Sequence, residues 1–274
     1  PGEFDHHDAL LLSCDALTSD HPGLLAAIIG AAKERISIVA IVSDRDARQR
    51  TVELLECNAL PADRVHILDL PHDSMWIRDY GPFAVRDREG RIVIVDARYN
   101  QSLGRGHDDD VPVAMAELLG TKLVQAPVYL DGGNLLSNGG GLCLSTTSLL
   151  DNNPRSDRDP SHLGKVLHQF LGFEQTILLE PLFGEPTGHV DMFAMFASPD
   201  TVVIGSYDPL VDPMNADVLD RNAAYLSQIR TPRGPLRVIH VPMPTNTDGI
   251  WRSYTNGILA NGVFMLPVYP DVDG

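Results

Sequence analysis

The chain has 274 residues, 43% of them hydrophobic and 21% charged, which is enough apolar material for a full core and excludes a disordered polar chain. Its 37 acidic residues against 21 basic ones leave a formal charge of −16, which disfavours non-specific binding to nucleic acid or anionic membrane and favours a small cationic ligand. Three widely spaced cysteines without a CxxC pair exclude a disulfide framework and fit a reducing, cytoplasmic setting.

The N-terminus, PGEFDHHDALLLSCDA, has no basic stretch ahead of its apolar run, so it does not read as a secretory signal. Ala9–Ser13 reads as the first strand, and Pro22–Glu34 as a helix opened by proline. The apolar run inside that helix is too short to cross a bilayer, so no membrane span is expected. Strands at Ile36–Val42 and Val65–Leu68 flank a helix at Asp46–Asn58, with Cys57 on its apolar stripe beside Leu54 and Leu55 and therefore expected in the core. Cys14, next to Asp15, is a poor thiolate because a neighbouring carboxylate raises a thiol's pKa.

WIRDYGP follows at Trp76–Pro82. Its Gly-Pro pair predicts a turn that holds the Asp79 carboxylate at a strand end, either as a cap on backbone amides or as a functional group. Phe83–Arg86 and Arg91–Asp96 are strands joined by the polar turn DREG, an antiparallel hairpin that argues against a doubly wound parallel sheet. GHDDD at 106–110 is expected as a loop of caps and solvated charge before a helix at Val111–Leu119. After a strand at Lys122–Ala126 comes DGGN (131–134), whose glycines allow close backbone approach to a ligand, and then NGGG (138–141), a hairpin turn into a strand at Gly141–Ser145 that buries Cys143. A helix at Pro160–Leu171 and a strand at Thr176–Leu179 precede TGHVD. There the H-x-D spacing at a strand start puts His189 and Asp191 on one side of a pleat, open to acid–base, cation-binding, metal or purely structural roles. Strands at Thr201–Gly205, Leu236–His240 and Val263–Pro267, a helix at Ala216–Gln228 and the polar cluster SYTNG complete the pattern.

The whole is mixed α/β without a flexible linker and is taken as one domain, 1–274. Asp79, Asp131, His189 and Asn256 are 52, 58 and 67 residues apart. A recurring unit of about three strands and one helix, each offering a loop to a common axis, is expected.

DSMWIRDYGPF, DGGNLLSNGGGLCLSTTSLLDNNP, TGHVDMFAMF and SYTNGILANGVFMLPVY, in this order after PGEFDHHDALLLS, make the sequence resemble the agmatine deiminase and Porphyromonas-type peptidylarginine deiminase family, one of the guanidine-modifying penteins. The resemblance implies a five-bladed α/β propeller of ββαβ modules. It implies metal- and cofactor-free hydrolysis of a small cationic guanidine or an arginine peptide to a ureido product and ammonia. In that scheme Asp79 and Asp191 bind the guanidinium, His189 is general acid and base, Trp76 packs on the substrate and Asn256 lines the site, while a cysteine thiolate forms the covalent intermediate. The family's cysteine stands in a GG-x-x-HC-type motif that none of Cys14, Cys57 and Cys143 matches, so the last module is expected to lie beyond PVYPDVDG and the half-site in this chain to be inactive without it. A non-catalytic guanidinium-binding relative and a pentein amidinotransferase are the alternatives; a metal-dependent amidohydrolase built on His189, Asp191 and Asp108–Asp110 is a more distant one. Substrate choice is open, as is a homo-oligomeric state: Gln101 replaces the first arginine of the peptidylarginine branch's carboxylate clamp, leaving Arg98 or Arg105, while Tyr99–Asn100 leans toward that branch and the FNAWGG loop of agmatine deiminases is missing.

Overall fold

The computed structural model describes residues 1–99, 104–153 and 160–273. They divide into two compact units: an N-terminal unit of His6–Gly132 with Ala260–Met265, and a C-terminal unit of Pro1–Asp5, Gly133–Leu259 and Leu266–Gly274.

The N-terminal unit opens with β1 (Ala9–Ser13), α1 (Asp15–Asp20), α2 (Pro22–Ala32), β2 (Ser37–Val42), α3 (Arg45–Cys57) and β3 (Val65–Asp69). β1, β2 and β3 form an all-parallel sheet in that order, with Leu12 opposite Ala40 and Ala40 opposite Ile67. Buried on both faces, such strands are near-continuously apolar, as LLL and SIVAIV are. α2 starts at Pro22 and buries Leu25, Ile29 and Ala32, one stripe at helical spacing. The Asp44 side chain caps α3 by accepting from the Ala47 N–H at 2.8 Å. Cys57 falls in the last position of α3 and is exposed, contrary to the expectation of a core cysteine; the inward positions there are Leu54 and Leu55.

Next come α4 (Ile77–Tyr80), β4 (Phe83–Arg86), β5 (Ile92–Arg98), α5 (Gly106–Leu118) and β6 (Lys122–Tyr129). β4 pairs antiparallel with β5, and β5 pairs parallel with β6 after the α5 crossover, so this is a ββαβ unit. The DREG hairpin forms as expected, with Gly90 at φ 79°. α5 begins five residues before the expected helix, so GHDDD is its first turn rather than a loop.

The same topology recurs twice in the C-terminal unit. β7 (Leu136–Ser137) runs antiparallel to β8 (Leu142–Thr146), as the NGGG turn predicts, and β8 pairs parallel with β9 (Gln175–Leu179) after α6 (Ser148–Asn152) and α7 (Pro160–Leu171). β10 (Ala194–Ser198) runs antiparallel to β11 (Thr201–Ser206). After α8 (Pro213–Leu226) and the short antiparallel pair β12 (Arg230–Thr231) and β13 (Gly234–Pro235), β14 (Arg237–Pro242) joins β11 in parallel. Leu144, Leu179, Val190, Phe193, Ile204 and Leu219 form the centre of this unit's core. β15 (Ile258–Ala260), β16 (Val263–Met265) and α9 (Pro270–Asp273) end the described chain. The expectation of a repeated three-strand, one-helix unit is met three times, and among the described residues no sheet closes on itself. Nor, among them, is any helix long and apolar enough to cross a membrane.

Candidate active site

In the C-terminal unit, TGHVD does not start a strand. Gly188 takes φ 66°, His189 is extended, and Val190–Met192 form a 3₁₀ turn closed by the Phe193 N–H on the Val190 carbonyl (3.2 Å), with β10 starting only at Ala194. The expectation that His189 and Asp191 share one face of a pleat is therefore corrected: they sit at the entry and in the middle of a tight helical turn. The glycine is required, since a Cβ at 188 would also press to 3.0 Å from the Ser148 Cβ.

Backbone bonds fix this turn on several sides. The Glu185 carboxylate accepts from the N–H groups of Thr187 (3.1 Å) and Gly188 (2.6 Å) and from the Thr187 hydroxyl. The Ser148 hydroxyl donates to the Gly188 carbonyl at 3.0 Å, and the Thr146 hydroxyl shares that acceptor. The Val190 N–H donates to Asn134 Oδ1 at 3.1 Å. His189 is half-buried, and Asp191 is buried at 4% exposure.

SYTNG lies against the same turn. Thr255 Oγ1 donates to the Asp191 carbonyl at 3.1 Å, and Asn256 Nδ2 points at the Met192 sulfur at 3.8 Å. The Ser253 hydroxyl accepts from the N–H of Asn256 at 3.0 Å, which fixes the start of the asparagine's own backbone. Three of the expected site residues, His189, Asp191 and Asn256, are thus brought together in one unit.

Trp76 and Asp79 belong to the N-terminal unit. Asp79 does not end a strand, as the Gly-Pro turn suggested; it lies in the single-turn helix α4, whose last bond runs from the Gly81 N–H to the Ile77 carbonyl at 2.8 Å. Trp76 precedes that turn and is 50% exposed, while Asp79 is half-buried. The segment before it is anchored by Asp108, which is fully buried and not solvated as its acidic run suggested. One Asp108 oxygen accepts from the N–H groups of Asp73 (2.7 Å) and Ser74 (3.1 Å), the other from the Ser74 hydroxyl (2.7 Å). Tyr80 Oη donates to the Ser74 carbonyl at 2.7 Å. On the far side of the turn, Gly132 packs onto the Arg78 carbonyl.

Tyr99 completes this set: its hydroxyl accepts from Arg105 Nη1 at 2.8 Å. Burial pushes the Tyr99 hydroxyl up; the Arg105 hydrogen bond works against this, while the negative fields of Asp79 and Asp131 add to it, so both carboxylates lie within its electrostatic reach. Arg98 instead rests its guanidinium 5.8 Å from the Tyr129 ring centre. Asn100 and Gln101, the other positions of the expected substrate clamp, lie outside the described residues.

The two buried cysteines, Cys14 and Cys143, offer no activated thiolate. Burial, followed by the Asp15 charge, pushes Cys14 up to about 12, and burial raises the fully enclosed Cys143. Among the described residues, no group of three or more His, Cys, Asp or Glu side chains is arranged to hold a metal ion.

Sequence reasoning passed over Asn134, Thr146, Ser148, Glu185 and Asp108. The signals were faint: an asparagine after a glycine pair, a glutamate four residues before the histidine, and an acidic run that looked like surface charge.

The model of the family described as Porphyromonas-type peptidyl-arginine deiminase matches residues 3–273. A Streptomyces avermitilis relative, which carries the agmatine deiminase name provisionally, is 30% identical over 291 residues, covering 98% of this chain and 78% of its own. The agmatine deiminase of Stutzerimonas stutzeri is 27% identical over 254 residues, 79% of this chain and 68% of its own. For some relatives, as in Shewanella, the match spans 46% of their length. Among solved structures, the fold resembles agmatine deiminase of Enterococcus faecalis (TM-score 0.84, 20% identity, 100% of this chain and 84% of that one). It also resembles C. jejuni agmatine deiminase (TM-score 0.80, 18% identity, 100% and 82%).

Proposed function

The chain belongs to the Porphyromonas-type peptidyl-arginine deiminase family, and from that premise we propose that it carries the acid–base and cation-binding part of a site that hydrolyses a guanidinium to a ureido group and ammonia. The observation that carries this reading is the single turn holding His189 and Asp191, with Asn256 seated against it. A histidine and a buried carboxylate two residues apart can serve a cationic substrate with opposite needs: a negative charge to bind it and a titrating group to move its protons.

Asp191 and Asp79 bind the planar guanidinium by charged, paired hydrogen bonds. Trp76 covers the substrate's stem or its cationic plane, and Asn256 lines the pocket. A cysteine thiolate adds to the guanidinium carbon. His189 gives a proton to the departing nitrogen, the C–N bond breaks, and ammonia leaves a thiouronium ester. Water, deprotonated by His189, then adds to the same carbon, the C–S bond breaks, and the ureido product and the thiolate are released. Because Cys14 and Cys143 are buried with raised pKa values, and Cys57 does not stand in the family's GG-x-x-HC-type motif, the nucleophile is assigned to a segment other than these 274 residues. The continuous family match supports one pentein-type deiminase domain, and the three ββαβ units support a propeller of five such modules, the last carrying that cysteine.

The substrate is a small guanidine of the agmatine or arginine class. A C. jejuni agmatine deiminase has been solved with its substrate bound. The test is an assay for ureido product. The full-length gene product is expected to convert agmatine, free arginine or a peptide ending in arginine, and the 274-residue chain alone to convert none. No product from any of the three with the full-length protein overturns the reading. The buried cysteines also favour a second reading, a binding protein that keeps the cradle and lacks chemistry; calorimetric binding of agmatine by a full-length product with no turnover would identify it.

A further inference from the structure

Asn134 is 3% exposed, and three of its amide's four hydrogen-bonding directions serve one network. Oδ1 accepts from the N–H of Thr146 at 3.0 Å and from the N–H of Val190 at 3.1 Å, while Nδ2 donates to Ser148 Oγ at 3.0 Å. The Thr146 and Ser148 hydroxyls, 2.7 Å apart, both reach the Gly188 carbonyl. The two peptide groups flanking the Cα of His189 are therefore both held from the same side: the preceding one through the Gly188 carbonyl, the following one through the Val190 N–H. With both peptide planes fixed, the direction in which the imidazole leaves the backbone is fixed too, and so is that of Asp191 two residues on, whose own carbonyl is tied to Thr255.

We infer that Asn134 is the positioning residue of the His189–Asp191 turn: through Val190 directly, and through Thr146 and Ser148, it sets the geometry from which the proton carrier and the guanidinium anchor act. This rests on the deiminase reading above. An asparagine suits the place because it offers a double acceptor and a donor without charge; alanine leaves two buried N–H groups without an acceptor, and aspartate keeps the acceptor but adds a buried negative charge beside His189.

The experiment uses the full-length gene product, with Asn138→Ala as the matched control. Asn138 is just as buried, accepts from the N–H groups of Gly140 and Leu142 and donates to the Pro199 carbonyl, so it ties the β7–β8 hairpin to the β10–β11 turn and makes no bond to the His189–Asp191 turn. Asn134→Ala is expected to lower kcat about tenfold to a hundredfold, as misplacement of a reacting group does, with a smaller rise in KM from the displaced guanidinium anchor. Asn138→Ala should lower the melting temperature comparably and leave kcat alone. Asn134→Asp should recover most of kcat and move the limb of the pH–rate profile that reports the histidine toward higher pH, because a nearby anion favours imidazolium. The inference is overturned if Asn134→Ala keeps the parent's kcat, or if Asn138→Ala loses as much. Should Asn134→Ala fail to fold, an Asn134→Asp profile superimposable on the parent's overturns it. A parent protein that neither binds nor converts agmatine or arginine instead removes the deiminase reading, and the inference falls with it.

Discussion

Gly132 lies so close to the carbonyl of Arg78 that any Cβ at position 132 would overlap the Arg78 oxygen. The obstacle is backbone rather than a flexible side chain, so it cannot rotate away. Gly132→Ala is therefore expected to push the Asp131 loop off the α4 turn that carries Asp79, destabilising the protein by about 1–3 kcal/mol as overpacking does. Agmatine binding should weaken in parallel. Chemical denaturation and titration calorimetry check this; unchanged stability together with unchanged affinity rules out the close approach.

Asp108 tests the other support of that turn. Asp108→Ala leaves the N–H groups of Asp73 and Ser74 and the Ser74 hydroxyl without their acceptor, a loss of about 1 kcal/mol for groups that are only partly buried. Asp108→Asn keeps one acceptor oxygen and should cost less. The ranking parent, Asn, Ala in urea midpoints is the expected order, and an Ala variant as stable as the parent contradicts the bracing role.

Much of the fold was legible because local signals agreed with tertiary need. β1 and β4 fall on the residues that their apolar runs and turn punctuation pick out, and the DREG and NGGG hairpins follow from glycines that accept positive φ. What failed did so for identifiable reasons. The H-x-D pair is expected at a strand start, but the positive φ of Gly188 and the bonds on Val190 wind the chain into a 3₁₀ turn first, and β10 starts only at Ala194. Cys57 shares a helical stripe with Leu54, yet the stripe has left the core by the last position of α3. Asp108 looked like surface charge because no periodicity shows which one of three consecutive aspartates points inward. Of the candidate site, the motifs were legible through family resemblance. The residues that hold them, such as Asn134 and Glu185, act through backbone bonds that leave no mark in a sequence pattern.

The His107–Asp73 pair gives a pH signature. His107 Nδ1 lies 2.9 Å from Asp73 Oδ1, and this hydrogen bond, then the charge of Asp73, raises the His107 pKa. For Asp73, desolvation works against ionisation, but the hydrogen bond and charge of His107 outweigh it and hold the carboxyl below its usual range. A raised histidine stabilises below its unfolded pKa and loses this as pH rises through its folded value; a lowered aspartate stabilises above its unfolded pKa and loses this as pH falls through its folded value. The pair's contribution therefore peaks between the ordinary values of 3.8 and 6.5. Melting temperatures of the parent and of His107→Ala should differ most near pH 5 and converge above pH 8, with a small gap throughout because the histidine is exposed. A gap that does not vary with pH refutes the pairing.

The three cysteines of the chain test the proposed cysteine mechanism. A thiol pushed up to about 12, as Cys14 is, has a thiolate fraction of only about 10⁻⁴ at pH 8, and Cys143 is shut off from solvent altogether. Cys57 is exposed. Iodoacetamide at pH 8 should therefore add one label to the native chain, on Cys57, and label all three cysteines in urea, read by peptide mass spectrometry. Cys57→Ser should leave no labelled site in the native chain and should not alter turnover by the full-length product. Rapid native labelling of Cys14 or Cys143 would overturn the burial argument and return a candidate nucleophile to this part of the protein. Loss of turnover in Cys57→Ser would do the same for the end of α3. With neither result, the thiolate of the proposed mechanism is one that Cys14, Cys57 and Cys143 do not supply.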